Sequence, residues 1–187
     1  VNKALNDFKL LNVDFEVFAE KEFEGNIRFE ARLKGPLYNG SNSSTNTLKI
    51  DFNKRKPKTT LAKVIPKVFS DVPPFTIVVL GEREILAEKI RALINRGQAR
   101  DLYDVWMLLQ SNVSIDEKLL AEKLKAEKTS LSKLKLPSKE EYEIDLKNLL
   151  NYLPDYEQVK KQVIENLKKL LEQTKSKKEF EKAIKKL

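Results

Sequence analysis

The chain predicts an α+β fold, a mostly antiparallel sheet packed on helices and followed by a helical subdomain. Three observations carry that expectation. Apolar and polar residues alternate through Val13–Glu20, Ile27–Leu33 and Leu48–Asn53, the period-two mark of antiparallel strands with one buried face. From Glu84 to Leu109 the apolar residues recur instead at helical spacing. Beyond Ser111 the helical spacing continues with no further strand pattern, which segregates the layers.

Taken in order, Asn2–Leu10 has a short helical pattern through Ala4, Leu5 and Phe8. Val13, Phe15, Val17 and Ala19 then alternate with Asp14, Glu16 and Glu20. After Gly25-Asn26, a pair that marks a hairpin turn, Ile27, Phe29, Ala31 and Leu33 alternate with Arg28, Glu30 and Arg32. Gly35-Pro36 ends this strand, and Asn39–Thr47 is small and polar enough for a mobile loop. In the next strand Leu48, Ile50 and Phe52 face one way, Lys49, Asp51 and Asn53 the other. Phe75–Leu80 is a short continuous apolar run and reads as a buried strand. The sum is one sheet of about four strands.

Two helices follow, about Glu84–Asn95 and Asp101–Gln110, joined at a tight turn in which Gly97 supplies the permissive backbone. At about 100° per residue, Ile85, Leu86, Ile90 and Leu93 share one arc and Glu84, Glu88, Arg91 and Asn95 lie opposite. Lys89 falls inside the apolar arc and must snorkel out or meet an anion; Arg96, seven residues on, returns near the same line. The second helix is apolar on nearly every side, so a central position is expected. It nevertheless opens with Asp101 and Asp104, three apart and therefore neighbours. Asp101 can equally serve the helix start as a cap or first-turn acid. Ile115–Leu124, Glu140–Leu150 and Tyr156–Leu171 predict three further helices, and Ser176–Leu187 one more packing on them. The expected boundary separates residues 1–110 from a helical subdomain, 111–187.

Composition narrows the chemistry. With 187 residues, 41% hydrophobic and 34% charged, the chain has the make-up of a soluble globular protein. No apolar run approaches the roughly 18 residues of a membrane span, which excludes a membrane protein and predicts a cytoplasmic one. The absence of Cys and His removes disulfides, thiolate and imidazole metal sites and Ser-His-Asp catalysis. What is left, carboxylates, lysine, arginine and hydroxyls, suits magnesium and phosphates. A net charge of +8 favours a polyanionic partner such as RNA or nucleotide, although much of the excess lies in the last thirty or so residues.

The run E-I-L-A-E-K-I-R-A-L-x-x-R-x-x-x-R-D-L-Y-D-V, Glu84–Val105, resembles the two C-terminal motifs of the AbiEii/AbiGii toxin family of nucleotidyltransferases, K-x-x-A-L-x-x-R on one helix and R-D-x-x-D on the next. The resemblance implies transfer of a nucleotide from NTP to RNA, tRNA in some members, or to another small acceptor. It also implies Mg²⁺ as cofactor and a cognate antitoxin as partner. By the same resemblance Lys89 contacts the nucleotide phosphates, Asp101 and Asp104 are catalytic acids, Asp51 completes the metal cluster, and Arg96 and Arg100 add positive charge or pair with the two aspartates. The family's upstream Gly-Gly or Gly-Ser turn and S-x-D-x-D strand have no counterpart, and no D-x-D occurs in the chain.

The chain is therefore expected to be either part of a full nucleotidyltransferase, as the initial Val1 suggests, or a divergent relative, and to transfer little nucleotide alone. In a full-length version Lys89→Ala and Asp101→Ala should abolish transfer while leaving the melting temperature within a few degrees. The rival reading is a non-catalytic module that binds RNA or protein through its basic helices, with Lys89, Asp101 and Asp104 as an internal polar network.

Overall fold

The alternating segments form antiparallel strands, as their period requires. The computed structural model describes residues 14–23, 25–53, 56–67, 70 and 72–184, with side chains as far as residue 170 and at 172. Within it β1 (Asp14–Phe23), β2 (Asn26–Lys34) and β3 (Asn46–Asn53) form a sheet in the order β1-β2-β3. The helical pattern at Asn2–Leu10 lies outside the described residues. Phe29 of β2 stands opposite Glu20 and Ile50, and Ala31 opposite Val17 and Leu48. Phe29 and Ala31 are buried with Phe15 and Ile50 against them, forming the small core of this sheet.

The alternation read as continuous from Val13 to Glu20 changes face partway. A register shift between Val17 and Ala19 puts Ala19 opposite Glu30 and Glu20 opposite Phe29. One extra residue in a ladder moves every later side chain to the other face. Phe18, the inserted residue, lies under the guanidinium of Arg32 at 4.3 Å, a cation-π contact. The segment expected as a mobile loop contains a 3₁₀ turn, Asn42–Ser44. Its small polar residues bond to local backbone: the Ser44 hydroxyl donates to Ser41 O at 2.7 Å and that of Thr45 to Asn42 O at 2.7 Å.

The other strands form a second sheet and do not extend the first. β4 (Thr60–Ile65), which the sequence pattern did not reveal, pairs antiparallel with β5 (Phe75–Leu80). β5 was expected to be buried, but Val78 is 74% exposed and Val64 on β4 63%. An apolar run records hydrophobicity, whereas coverage depends on what tertiary structure lays over it.

Five α-helices follow among the described residues: α1 (Glu82–Arg96), α2 (Ala99–Gln110), α3 (Glu117–Ala126), α4 (Lys139–Leu146) and α5 (Tyr156–Ile184). None is long and apolar enough to cross a membrane. Asp116 caps α3 through Leu119 N–H, and Ser138 with Glu141 forms a capping box on α4. The helix expected to begin at Ser176 is the continuation of α5.

The architecture is α+β, and the chain divides between Lys56 and Pro57 into two compact units. In the second unit Leu86, Ile90, Leu102, Leu120, Tyr142 and Val163 belong to one core. That core runs straight through the boundary expected at residue 110, because α2 packs on α1, α4 and α5 together.

Tyr142 is fully buried and its hydroxyl finds no hydrogen-bond partner among the described residues. Burial, with Tyr103 and Asp155 nearby, pushes its pKa up to about 12. An unsatisfied buried hydroxyl costs about 1 to 3 kcal/mol, so Tyr142→Phe should raise the melting temperature by roughly 2 to 12 °C. A fall on thermal denaturation would mean that the hydroxyl has a partner in solution.

Candidate active site

The second unit builds its site from the α1–α2 hairpin. α1 ends where Gly97 turns left-handed at φ +61° and gives its N–H to Leu93 O at 2.8 Å, the usual glycine closure of a helix. A side chain there would be strained twice, by the positive φ and because a Cβ would lie 3.2 Å from Lys135 O. Gly97→Val should therefore lower stability by about 1 to 3 kcal/mol, read as a lower urea midpoint.

This turn brings the charged residues of the two helices together in pairs. Lys89 of α1 points its ammonium to Asp104 of α2, with Nζ 2.6 Å from Oδ2, and both side chains are about one-third exposed. About two turns further along α1, Arg96 grips Asp101 with two hydrogen bonds, Nε to Oδ2 at 2.5 Å and Nη2 to Oδ1 at 2.7 Å. Asp101 is 0% exposed while the Arg96 side chain stays half in solvent. The hydrogen bonds to Asp101 raise the pKa of Arg96 above the ordinary arginine value. Arg96 is thus committed to Asp101, and Asp101, enclosed beneath it, presents no oxygen to a ligand. Arg100, on the first turn of α2, is exposed and makes no ion pair among the described residues.

The arc of α1 opposite Leu86 and Ile90 is not a solvated face. Glu84 is 1% exposed. Its carboxylate accepts the backbone N–H groups of Lys58 at 2.9 Å and Thr59 at 2.5 Å, the Thr59 hydroxyl at 3.0 Å and the ammonium of Lys123 at 2.9 Å. Lys123 also donates to Glu88 at 2.7 Å, and Arg91 links Glu88 to Glu127 at the C-terminal end of α3. Burial alone would raise the pKa of Glu84, but these donors outweigh it and hold the group at about 2. Burial likewise works against charge on Lys123, yet Glu88 and Glu84 keep its pKa above the ordinary lysine value. The backbone comes close here as well: Thr59 O accepts Gly81 N–H at 3.0 Å, and a Cβ on Gly81 would lie 2.7 Å from the Thr59 hydroxyl. The network fixes the start of β4 and the flank of α3 to the helix that carries Lys89. Sequence reasoning missed it because its partners lie 25 to 39 residues from Glu84.

Asp51 belongs to the other unit. It stands directly across from Arg28 on β2, which donates Nε to Oδ1 at 2.8 Å and Nη2 to Oδ2 at 3.0 Å. Hydrogen bonding to Arg28 lowers the pKa of Asp51. Asp51, expected to complete the metal cluster, and Asp101 and Asp104, expected as catalytic acids, are therefore each held by a cation of the chain, Arg28, Arg96 and Lys89 in turn. No group of three or more acids among the described residues could hold a metal ion. As placed, these residues do not fit a magnesium cage, which needs free carboxylate oxygens.

A model of the family described as nucleotidyl transferase AbiEii toxin, type IV TA system, matches residues 8–187. Neither a curated protein nor a solved structure gives a significant match.

Proposed function

Because the chain belongs to the AbiEii family of nucleotidyl transferase toxins, we propose that its α1–α2 hairpin is the phosphate-handling part of a site that moves a nucleotide from NTP to an RNA such as tRNA, or to another small acceptor. In such a transfer an acceptor hydroxyl gives up its proton to water and attacks the α-phosphorus; a new P–O bond forms, the bond from the α-phosphorus to the bridging oxygen breaks, and pyrophosphate leaves with its electrons. The gap the protein must fill is positive charge held in place before the reaction begins.

The observation that supports this reading is the ammonium of Lys89, held 2.6 Å from Asp104 with about one-third of each side chain open to solvent. An ammonium has three N–H donors; one aimed at Asp104 fixes the group and leaves two for phosphate oxygens. Asp104 is then a positioning residue, and so is Asp101, which locks Arg96 and with it the angle between the helices. Arg100 is the guanidinium left for the triphosphate. Nucleotidyl transferases in general use a divalent metal, and a toxin of a toxin–antitoxin system has an antitoxin as partner. We place the activity in the cytoplasm, where NTP is available.

The ion pairs also favour the second reading, a non-catalytic module in which Lys89, Asp104, Arg96 and Asp101 only fix helix packing. Transfer of label from NTP to RNA separates the two. It is measured in a polypeptide that also supplies an S-x-D-x-D strand, with Lys89→Ala beside the parent. Full activity in the folded variant removes Lys89 from the site and leaves the structural reading.

A further inference from the structure

An open groove of about 590 Å³ lies between the C-terminal half of α3 and the 3₁₀ turn Leu131–Lys133. Its floor is apolar, from Ala121, Leu124 and Leu131, and the exposed Lys125 and Lys128 bring two ammonium groups to it. Neither lysine makes an ion pair among the described residues. Two nearby acids that would offset them are engaged elsewhere, Glu122 of α3 by Lys58 at 3.0 Å and Glu127, just past its end, by Arg91 at 2.9 Å. The wall beyond carries the hydroxyls of Ser130 and Ser132, 2.8 Å apart.

Lys128 adds a second, independent observation. It adopts φ +51°, just past the end of α3, where Thr129 N–H closes the helix on Leu124 O at 3.0 Å. Glycine is the ordinary residue at such a closure, and a lysine there costs backbone energy. Strain kept at a surface position points to a use for the side chain.

We propose that this groove seats a single-stranded polynucleotide, with phosphodiesters on Lys125 and Lys128 and an unpaired base against Leu124 and Leu131, as the acceptor strand of the transfer. The assignment of the strand as acceptor rests on the nucleotidyl transfer reading. Ammonium and hydroxyl donors side by side match phosphodiester oxygens. An apolar floor can be reached only by bases that are not stacked in a duplex. The formal charge of +8 draws polyanions to the chain as a whole.

Fluorescence anisotropy of a short labelled oligouridylate with the 187-residue chain tests this. Charge reversal of Lys125 and Lys128 to glutamate should weaken binding about tenfold or more at low salt and make the salt slope shallower by about 1.4, the value for two lost single-strand phosphate contacts. Lys128→Gly should raise the melting temperature by roughly 2 to 4 °C while weakening RNA binding, a combination that a purely structural lysine would not give. The control reverses two exposed lysines of α5, Lys161 and Lys168, and should lose less. Unchanged binding in the groove variant, an equal loss in the α5 control, or preferential binding of an oligoglutamate peptide each overturns the proposal. Lys89→Ala keeps the two readings apart. If it abolishes transfer while the groove variant binds RNA normally, only the groove assignment falls; if it transfers normally while the groove variant fails to bind, only the catalytic assignment falls.

Discussion

Replacing Glu84 by glutamine should destabilise the protein by about 3 to 5 kcal/mol, a large part of the 5 to 15 kcal/mol that holds a typical domain folded. The carboxylate accepts from two backbone N–H groups, one hydroxyl and one ammonium. Glutamine offers one acceptor oxygen, and its NH₂ would face donors. Lys123 would also lose one of its two countercharges. The same group sets an acid limit. Its pKa in the folded chain, about 2, lies below the ordinary 4.5, so the unfolded chain binds the proton more readily. The stabilisation is complete above about pH 4.5 and is lost as the pH falls toward 2. Glu88, also lowered, adds in the same direction. Urea denaturation across this range should show the parent losing stability more steeply than Glu84→Gln. A variant with the parent's midpoint and the same pH profile would show that the carboxylate is dispensable.

The second large effect separates activity from stability within one helix hairpin. Lys89→Ala should reduce transfer by about 10²- to 10³-fold, the usual cost of one preorganised charge in a transition-state site. The melting temperature should move only a few degrees, because a partly exposed ion pair contributes about 0 to 1 kcal/mol. Arg96→Ala should do the reverse. It leaves the Asp101 carboxylate buried without its partner, a loss of about 3 to 5 kcal/mol. Asp101→Ala is milder than Arg96→Ala, since a half-exposed guanidinium can turn back to water, yet it no longer belongs among changes that leave stability untouched. Equal thermal shifts in Lys89→Ala and Arg96→Ala would contradict this division.

What the sequence disclosed here was what is local. The α1–α2 hairpin was legible because helical neighbours lie three, four or seven positions apart and because Gly97 marks the turn. The same periodicity put Lys89 inside the apolar arc, where it must snorkel out or meet an anion, but Asp104 as its partner required the helices to be brought face to face. Glu84 was misplaced for the opposite reason: on a wheel it shares the polar arc, and only Thr59 and Lys123, both distant in the chain, turn that arc into an interior. The shift at Phe18 was hidden because a bulge leaves composition unchanged. Asp51 was read correctly as lying on the polar face of its strand, but the Arg28 opposite it is a matter of register, which pairing decides.

The hairpin of β4 and β5 has a practical consequence. Each strand offers one backbone edge without a ladder partner among the described residues, and Lys63 is the single charge on either strand. An open edge with so little charge is a template on which another polypeptide can add. Added salt shortens the reach of the lone ammonium. Concentrated stocks in high-salt buffer are therefore where fibres or precipitate would start, and dilute, low-salt storage suits this chain better.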